Sequence, residues 1–497
     1  MELKLNKEVI DSLMIVDKSL INQEEIGELT IPDTLPDASK ILDTMVCILL
    51  KSKEAEQGRT VLKGVLQTTV IYSADDDNVY KVELPLPYTV IANKKDITQE
   101  CEISAKVSLK DAEAVITNPR KMIVKVCYSA LVNTYSKQKI EICSKIEDNN
   151  VFQLSNSREL NYLSHYTEKT FVISDDISID NSSGDIELLS TDYKITSLEY
   201  SFSGNRIIVR GSVESAFIYM LSDSISPQKK EHCFDFSQII DVSDAESIEN
   251  VVIDIMLNGC YCDIGANASG VNESNFSIEL HAVAQCEIYR RKLTCILEDA
   301  YSAAGEVVCQ WSNHTICERK YVSQISERIC QRFENVSNIR EIIDAKIKIN
   351  DIRAENENLK INCTLVGYGM DAQQFPHNMK YNFTVDIDCG AKGDTSYFAH
   401  IENIEIFGSE IIFEGEIIVA SEITEEASLN NLEYAELTEN SMWMNAPSAV
   451  IYFCKSGDTL WSVAKKFMSS IDIIKQLNEI SEECELEDGR MLLVPKV

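Results

Sequence analysis

The sequence predicts a mainly β protein, built of tandem antiparallel β-sandwich-like repeat modules and followed by a small α+β module of β-α-α-β order. Three observations carry this reading. Most of the chain alternates apolar and polar residues in long runs broken by Asn, Asp, Gly and Ser, the pattern of half-buried strands and their turns. Two stretches repeat each other without a gap, Leu42 to Tyr72 over Leu189 to Tyr219, an offset of 147. In the last fifty or so residues the apolar period changes from two to that of a helix.

Residues 1–28 read as an acidic, amphipathic N-terminal segment. Met1-Glu-Leu-Lys-Leu-Asn-Lys has no apolar core or small-residue cleavage site, so it is not expected to act as a secretory signal. The first β repeat is placed at 29–150 and the second at 151–317. Within the offset, Leu42/Leu189, Arg59/Arg206, Gly64/Gly211 and Ile71-Tyr72/Ile218-Tyr219 coincide. The break Ser73-Ala-Asp-Asp-Asp-Asn78 reads as a hairpin loop. Gly64 and Gly211 stand in mid-strand, where glycine marks a bulge or close backbone approach, or is simply tolerated. Each repeat also carries a late strand-like run: Met122–Tyr128, Phe276–Cys286 and, further on, Ile411–Ala420.

Between the second and third copies, Tyr321, Ile325, Ile329, Phe333 and Val336 recur at helical spacing, so 318–345 is expected to be a connecting amphipathic helix. A degenerate third repeat follows at 346–425. Residues 426–447, acidic and rich in Asn, read as a linker. Its apolar spot Met442-Trp443-Met444 either packs on a neighbouring domain or serves a partner.

Composition bounds the function. There are 80 Asp+Glu against 46 Lys+Arg, a formal net charge of -34, which disfavours nucleic-acid and anionic-membrane binding. No run of about 18 uncharged apolar residues exists, so no membrane insertion is expected. The 16 cysteines are scattered through apolar runs and read as mostly reduced core residues. Cys260-x-Cys262 and Cys309-x4-His314-x2-Cys317 are the metal alternatives, though neither has zinc-finger spacing on both sides. The six histidines are isolated. No phosphate loop, nucleophile elbow or His-Glu-x-x-His occurs, so the expectation is a non-enzyme with no catalytic residues, no metal and no cofactor.

The C-terminal module, 448–497, opens with strand Ala449–Cys454. Leu460, Val463, Ala464 and Phe467 then share one helix face, with Asp458 placed to cap it. Ser469-Ser470 precedes a second helix with the face Ile473, Ile474, Leu477 and Ile480, and Asp488-Gly489 turns into a closing strand, Met491–Val494. Trp461 lies beside the first helix's face. It either covers the edge of a small core or serves as a partner anchor.

The segments Tyr452 to Phe467, Ile474-Lys-Gln-Leu-Asn478 and Gly489-Arg-Met-Leu-Leu-Val494-Pro495 resemble the opening, second-helix and closing motifs of the LysM domain. The resemblance implies a shallow groove for N-acetylglucosamine-containing glycans or a protein partner. Its walls would be Gly457, Asp458, Thr459 and Leu460 on one side and Ile480 and Leu486 to Gly489 on the other, with Trp461 alongside. Glu482, Glu483, Glu485, Glu487 and Asp488 make the second wall acidic, which would repel acidic peptidoglycan stems but not neutral sugar. Repeats preceded by Pro32-Asp-Thr-Leu-Pro36-Asp37-Ala-Ser-Lys-Ile41-Leu42 and joined to a terminal LysM domain resemble the SPOCS-domain proteins of clostridial sporulation. The resemblance implies a scaffold in the mother-cell cytoplasm, at the forespore surface and spore coat. Its partners would be a SpoIVA-like coat-basement morphogenetic ATPase, other coat proteins, or peptidoglycan, with the ATPase contact in the LysM domain. A peptidoglycan-binding anchor and an undetected hydrolase are the competing classes.

Overall fold

The computed structural model describes residues 1–180, 186–222, 224, 226–242, 247–266, 273–355, 358–388, 394–438, 447–480 and 486–496. Eighteen strands form three modules of six. Module 1 comprises β1 (Leu5–Thr30), β2 (Ala38–Glu56), β3 (Arg59–Ala74), β4 (Val79–Asn93), β5 (Glu102–Asn118) and β6 (Lys121–Ile146). Module 2 comprises β7 (Val151–Asp180), β8 (Ile186–Phe202), β9 (Arg206–Leu221), β10 (Gln228–Asp241), β11 (Ile248–Ala266) and β12 (Glu273–Ser302). Module 3 comprises β13 (Glu306–Glu334), β14 (Glu341–Glu355), β15 (Asn358–Met370), β16 (Pro376–Asp388), β17 (Asp394–Phe407) and β18 (Glu410–Thr438).

Each module stacks two three-stranded antiparallel sheets. The middle four strands supply a meander, β2-β3-β4, β8-β9-β10 or β14-β15-β16, and one further strand. The first and last strands pair with each other and take that further strand as β1-β6-β5, β11-β12-β7 or β13-β18-β17. The central strands of the two sheets face each other and make the core. In module 1, Leu62, Leu66, Val70 and Tyr72 pack on Met122, Val124, Val126 and Tyr128. In module 2, Val213, Phe217 and Tyr219 pack on Phe276, Ile278 and Leu280. In module 3, Leu359, Ile361 and Leu365 pack on Phe413, Ile417 and Val419.

The repeat glycines are explained by close approach. Gly64 pairs with Tyr88 and Gly211 with Phe236. A Cβ on Gly64 would stand 2.2 Å from the Leu49 carbonyl oxygen and 2.4 Å from the Tyr88 ring. On Gly211 it would meet Leu198 and the Phe236 ring at 2.8 Å. A cross-strand aromatic therefore lies over each glycine, the use expected of Gly inside a strand.

Three sequence expectations are corrected, for one reason. The segment 318–345 is not a connecting helix: it holds the end of β13, a turn and the start of β14. Positions four apart share a face of a helix, but also of a strand, because four is a multiple of two. Residues 426–447 are not all linker, since 426–438 complete β18, with Leu429, Leu432 and Ala435 buried. Asn431 is also buried, accepting from Cys143 N at 2.8 Å and donating to the Glu141 carbonyl at 2.5 Å. The 1–28 segment is mostly β1, paired with β6 along its length. In each case a first or last strand of 26 to 29 residues changes polarity along its length. The third repeat is a complete six-stranded module beginning at β13, where a module had been expected only from 346. Met442-Trp443-Met444 lies outside the described residues.

The long strands outrun their sheets. β5 accompanies β6 only as far as Tyr135, β11 accompanies β12 as far as Arg290, and β17 accompanies β18 as far as Glu422. Near these points β1, β7 and β13 each carry a bulge, at Val16, Ser164 and Glu318. Bulges bend a strand, and the two-stranded arms beyond them converge. Ile10, Ile140 and Ile142 of module 1, Leu160 and Ile296 of module 2, and Ile316 and Leu429 of module 3 form one buried cluster. A second set of bulges sits on the meanders. Leu42, Leu189 and Ile343 are each the extra residue of β2, β8 and β14, and all three are buried in one cluster with Ile71, Ile218 and Met370. The three modules thus meet at two places, and at the second they do so through equivalent residues.

A buried polar knot ties the modules as well. Lys320 of module 3 lies 2.8 Å from Glu287 of module 2 and 3.2 Å from Glu422. Tyr135 of module 1 donates to Glu287 at 2.5 Å. Burial lowers the Lys320 pKa, but the two carboxylates raise it further, so the ammonium stays charged.

Candidate functional site

The C-terminal domain consists of β19 (Ala449–Phe453), α1 (Leu460–Lys466), α2 (Ile471–Leu477) and β20 (Met491–Pro495), with β19 antiparallel to β20. Val463, Ala464, Ile474, Ile480, Leu492 and Val494 are buried in its core. Ile473 and Leu477, expected on the inner face of α2, are exposed instead.

The first of the two expected walls is shaped by local hydrogen bonds. The cap of α1 is Thr459 and not Asp458. Thr459 Oγ1 accepts from Ser462 N at 3.0 Å, and Ser462 Oγ accepts from Thr459 N at 3.0 Å, a reciprocal capping box. Asp458 instead closes the preceding turn, accepting from Lys455 N and from the Tyr452 hydroxyl, each at 2.8 Å. These donors, the Lys455 amide first, hold its carboxyl below the usual range. Gly457, at φ 89, takes the left-handed turn position that favours glycine. At α2, Ser470 occupies the cap position without a side-chain bond, and Ser469 Oγ donates to the Pro495 carbonyl. Asn478 ties α2 to β20: its Nδ2 donates to the carbonyls of Ile474 and Leu493, each at 2.8 Å, and its Oδ1 accepts from Leu493 N at 2.7 Å.

The two loops are joined where Gly489 N donates to the Cys454 carbonyl at 2.8 Å. Gly457, Thr459 and Gly489 are exposed. Asp458, Leu460, Trp461 and Leu486 are half-buried, and Ile480 is buried beneath them. Glu482, Glu483 and Glu485 lie outside the described residues; Glu487 and Asp488 are exposed.

Trp461 is engaged within the chain. Its Nε1–H donates to Asp299 Oδ2 at 2.8 Å, and its ring meets Tyr301 edge-on, centroids 5.0 Å apart. Lys465 Nζ donates to Asp299 Oδ1 at 2.5 Å, and the Tyr301 hydroxyl donates to the Ser469 carbonyl at 2.7 Å. Tyr301 stacks in turn on Phe152. The domain therefore sits on the tip of module 2 through a core continuous with its own. Asp299 and Tyr301 are the functional residues that the sequence reading missed. The available signal was only an acid and an aromatic two apart at the end of a strand.

On the side away from the helices, β19 and β20 present the cross-strand pairs Ile451 with Leu493 and Phe453 with Met491. Ile451, Phe453 and Met491 are each 60% exposed and Leu493 39%, so an apolar sheet face is open.

The metal alternatives do not assemble: among the described residues no group of three or more His, Cys, Asp or Glu is placed to hold an ion. Cys260 lies against Cys47, Cys317 against Tyr289, and His314 against Ser312. Among the described residues no helix is long and apolar enough to cross a membrane.

Comparison with known proteins agrees with this architecture. Residues 37–117 and 185–265 each match the SipL SPOCS domain, and residues 454–495 match the LysM domain. The two SPOCS matches begin at the meander of modules 1 and 2 and end in β5 and β11. Both are binding or scaffold domains with no catalytic role of their own. No curated protein and no solved structure matches the chain. The chain thus carries two SPOCS domains of the SipL type and a third module of the same strand order, and ends in a LysM domain.

Proposed function

We propose that the protein is a non-enzymatic assembly scaffold of the spore envelope, and that its LysM domain docks a coat-basement morphogenetic ATPase at the forespore surface. The observation that carries this reading is the open apolar face of Ile451, Phe453, Met491 and Leu493. Four large apolar side chains in cross-strand register suit a protein interface, whose centre is apolar, better than a sugar. The three fused modules supply a rigid platform beneath it. Trp461 takes the part of a positioning residue, because it seats the domain on Asp299 and Tyr301.

A second reading, a peptidoglycan anchor, is favoured by the exposed loops at Gly457, Thr459 and Gly489, which are joined at their base like two lips of one groove. One experiment separates the two. The full chain and its Phe453→Asp, Met491→Asp variant are used to capture the ATPase and are sedimented with purified cortex. The scaffold reading expects capture to weaken by at least about 30-fold, on the order of 2 kcal/mol, with sedimentation unchanged. Unchanged capture by the folded variant would overturn it, and cortex sedimentation by the parent without capture would favour the anchor.

A further inference from the structure

One pair of groups is used by neither reading. Cys47 on β2 of module 1 and Cys260 on β11 of module 2, 213 residues apart in sequence, place their sulfurs 3.5 Å apart across the interface between the two modules. Both residues are partly accessible. Beside them Lys51 of β2 donates to the Asn258 carbonyl of β11, so the two strands are held in register at this point. Between modules 3 and 1, Lys348 of β14 and Asp111 of β5 make an ion pair at 2.6 Å. The thiols of modules 1 and 2 stand between the same kinds of strand.

We propose that Cys47 and Cys260 form an oxidisable inter-module pair, which hydrogen peroxide converts to a disulfide that staples module 1 to module 2. Closing from 3.5 Å to a sulfur–sulfur bond of about 2.05 Å shortens the separation by about 1.5 Å. The chemistry balances in two steps. Cys260 reacts as thiolate: its sulfur attacks peroxide, an S–O bond forms, the O–O bond breaks, and the departing hydroxide takes a proton to become water. The Cys47 sulfur then attacks the resulting sulfenic sulfur. The S–S bond forms, the S–O bond breaks, and the Cys47 proton leaves with the hydroxyl as a second water. Two electrons pass from the thiol pair to the peroxide.

The surroundings divide these roles. The Cys47 hydrogen bond, with help from the Lys51 charge, holds the Cys260 thiol below its ordinary pKa against the opposing effect of burial. Cys47 is pushed well above its own. Cys262, the rival partner, is raised to about 11 by burial. It also lies two residues along the same strand, about 6.6 Å away by strand rise, near the limit for a bridge.

The test uses the full chain, fully reduced, exposed to a small excess of hydrogen peroxide, quenched with catalase and trapped with N-ethylmaleimide. The expected result is loss of two of the 16 thiols, a Cys47–Cys260 cross-link in the non-reducing digest, a higher thermal midpoint, and reversal of all three by dithiothreitol. Cys262→Ala should leave the cross-link in place, whereas Cys47→Ala should abolish it while circular dichroism remains that of the parent. A digest of the parent chain that shows overoxidised Cys260, a Cys260–Cys262 bridge or no bridge at all would overturn the proposal without reference to any variant.

Discussion

Asp299 holds the LysM domain on module 2, and its removal gives a docking energy that can be worked from the geometry. Its Oδ2 accepts the Trp461 indole N–H at 2.8 Å and its Oδ1 accepts Lys465 Nζ at 2.5 Å. The first is a hydrogen bond to a charged acceptor, worth about 1.5–3 kcal/mol. The second joins side chains that are 46% and 28% exposed, so solvent screening limits it to about 1 kcal/mol or less. Asp299→Ala removes both and leaves the apolar contact with Tyr301 and Phe152. The docked state should weaken by about 2–3 kcal/mol, a factor of roughly 30–150. Asp299→Asn keeps an oxygen for the indole and should lose about 1 kcal/mol. The assay is solvent exchange of the Trp461 indole proton, followed by NMR, with the other two tryptophans as internal references. Acceleration of about 30–150-fold in the alanine variant, and less than about tenfold in the asparagine variant, is expected. Equal exchange in all three proteins would refute the seat. A pH series adds a sign. Burial raises the Asp299 pKa, but Lys465 and Trp461 lower it further, and the balance is a depressed carboxyl. The stabilisation of a depressed acid is complete above its unfolded pKa and is lost as pH falls through the folded one. The gap between parent and Asp299→Ala should therefore persist at neutral pH and close below about pH 4.

Other perturbations test the modules in equilibrium urea denaturation. Gly64→Ala should cost about 3 kcal/mol or more, because its Cβ would meet the Leu49 carbonyl at 2.2 Å. Gly211→Ala, which meets only side-chain ends at 2.8 Å, should cost about 1 kcal/mol; equal costs would contradict the close-approach account. Leu189→Ala opens the cluster shared by all three meanders and should cost about 2–5 kcal/mol. A change under about 1 kcal/mol would mean that the modules do not meet there. Lys320→Met leaves Glu287 buried beside Glu422 without its cation, and should destabilise by about 3–5 kcal/mol. Adding Glu287→Gln should recover part of the loss.

The sequence made the short-range features readable and left the long-range ones obscure. The offset pairing Arg59 with Arg206 also pairs β3 with β9, which begin at these residues and end at Ala74 and Leu221. The helices and strands of the LysM domain were legible because cap, turn and period agree within a few residues, although the cap proved to be Thr459. Strand length was not legible. In β13, Tyr321, Ile325, Ile329 and Phe333 fit two periods at once, and nothing local distinguishes them. In β18, Asn431 and the neighbouring acids look like linker until the β6 backbone that Asn431 bonds is brought beside it. The bulged residues Leu42, Leu189 and Ile343 are ordinary apolar residues in sequence, and their role exists only once three modules meet. Trp461 could be placed at the edge of a helix face, but its acceptor, Asp299, lies 162 residues away.

The unequal polar contacts explain why three similar modules assemble in one order and give the LysM domain one seat. Apolar clusters such as that of Leu42, Leu189 and Ile343 would be satisfied by any cyclic order of the modules, because the residues are nearly interchangeable. The charged contacts are not. Lys53 of module 1 donates to Tyr166 and Gln285 of module 2, Lys229 of module 2 pairs with Asp344 of module 3, and Lys346 of module 3 pairs with Asp43 of module 1. An exchanged order would leave Lys53, Asp344 and Asp43, the most buried charge of each contact, without partners, at a cost of up to several kcal/mol each, so these contacts act against wrong orders more than they stabilise the right one. The same asymmetry selects the seat. Matched through the bulges at Ser144, Glu298 and Glu433, the places of Asp299-Ala300-Tyr301 in β12 are taken by Lys145-Ile146-Glu147 at the end of β6 and by Tyr434-Ala435-Glu436 in β18. β6 offers no ring there, and β18 has its acid and ring exchanged, with Tyr434 donating to Glu436 at 3.1 Å; β12 alone of the three puts the carboxylate first, where it meets the Trp461 indole, and the ring third. The LysM domain follows module 3 in sequence yet rests on module 2, and its apolar outer sheet face is left open at one fixed place on the scaffold.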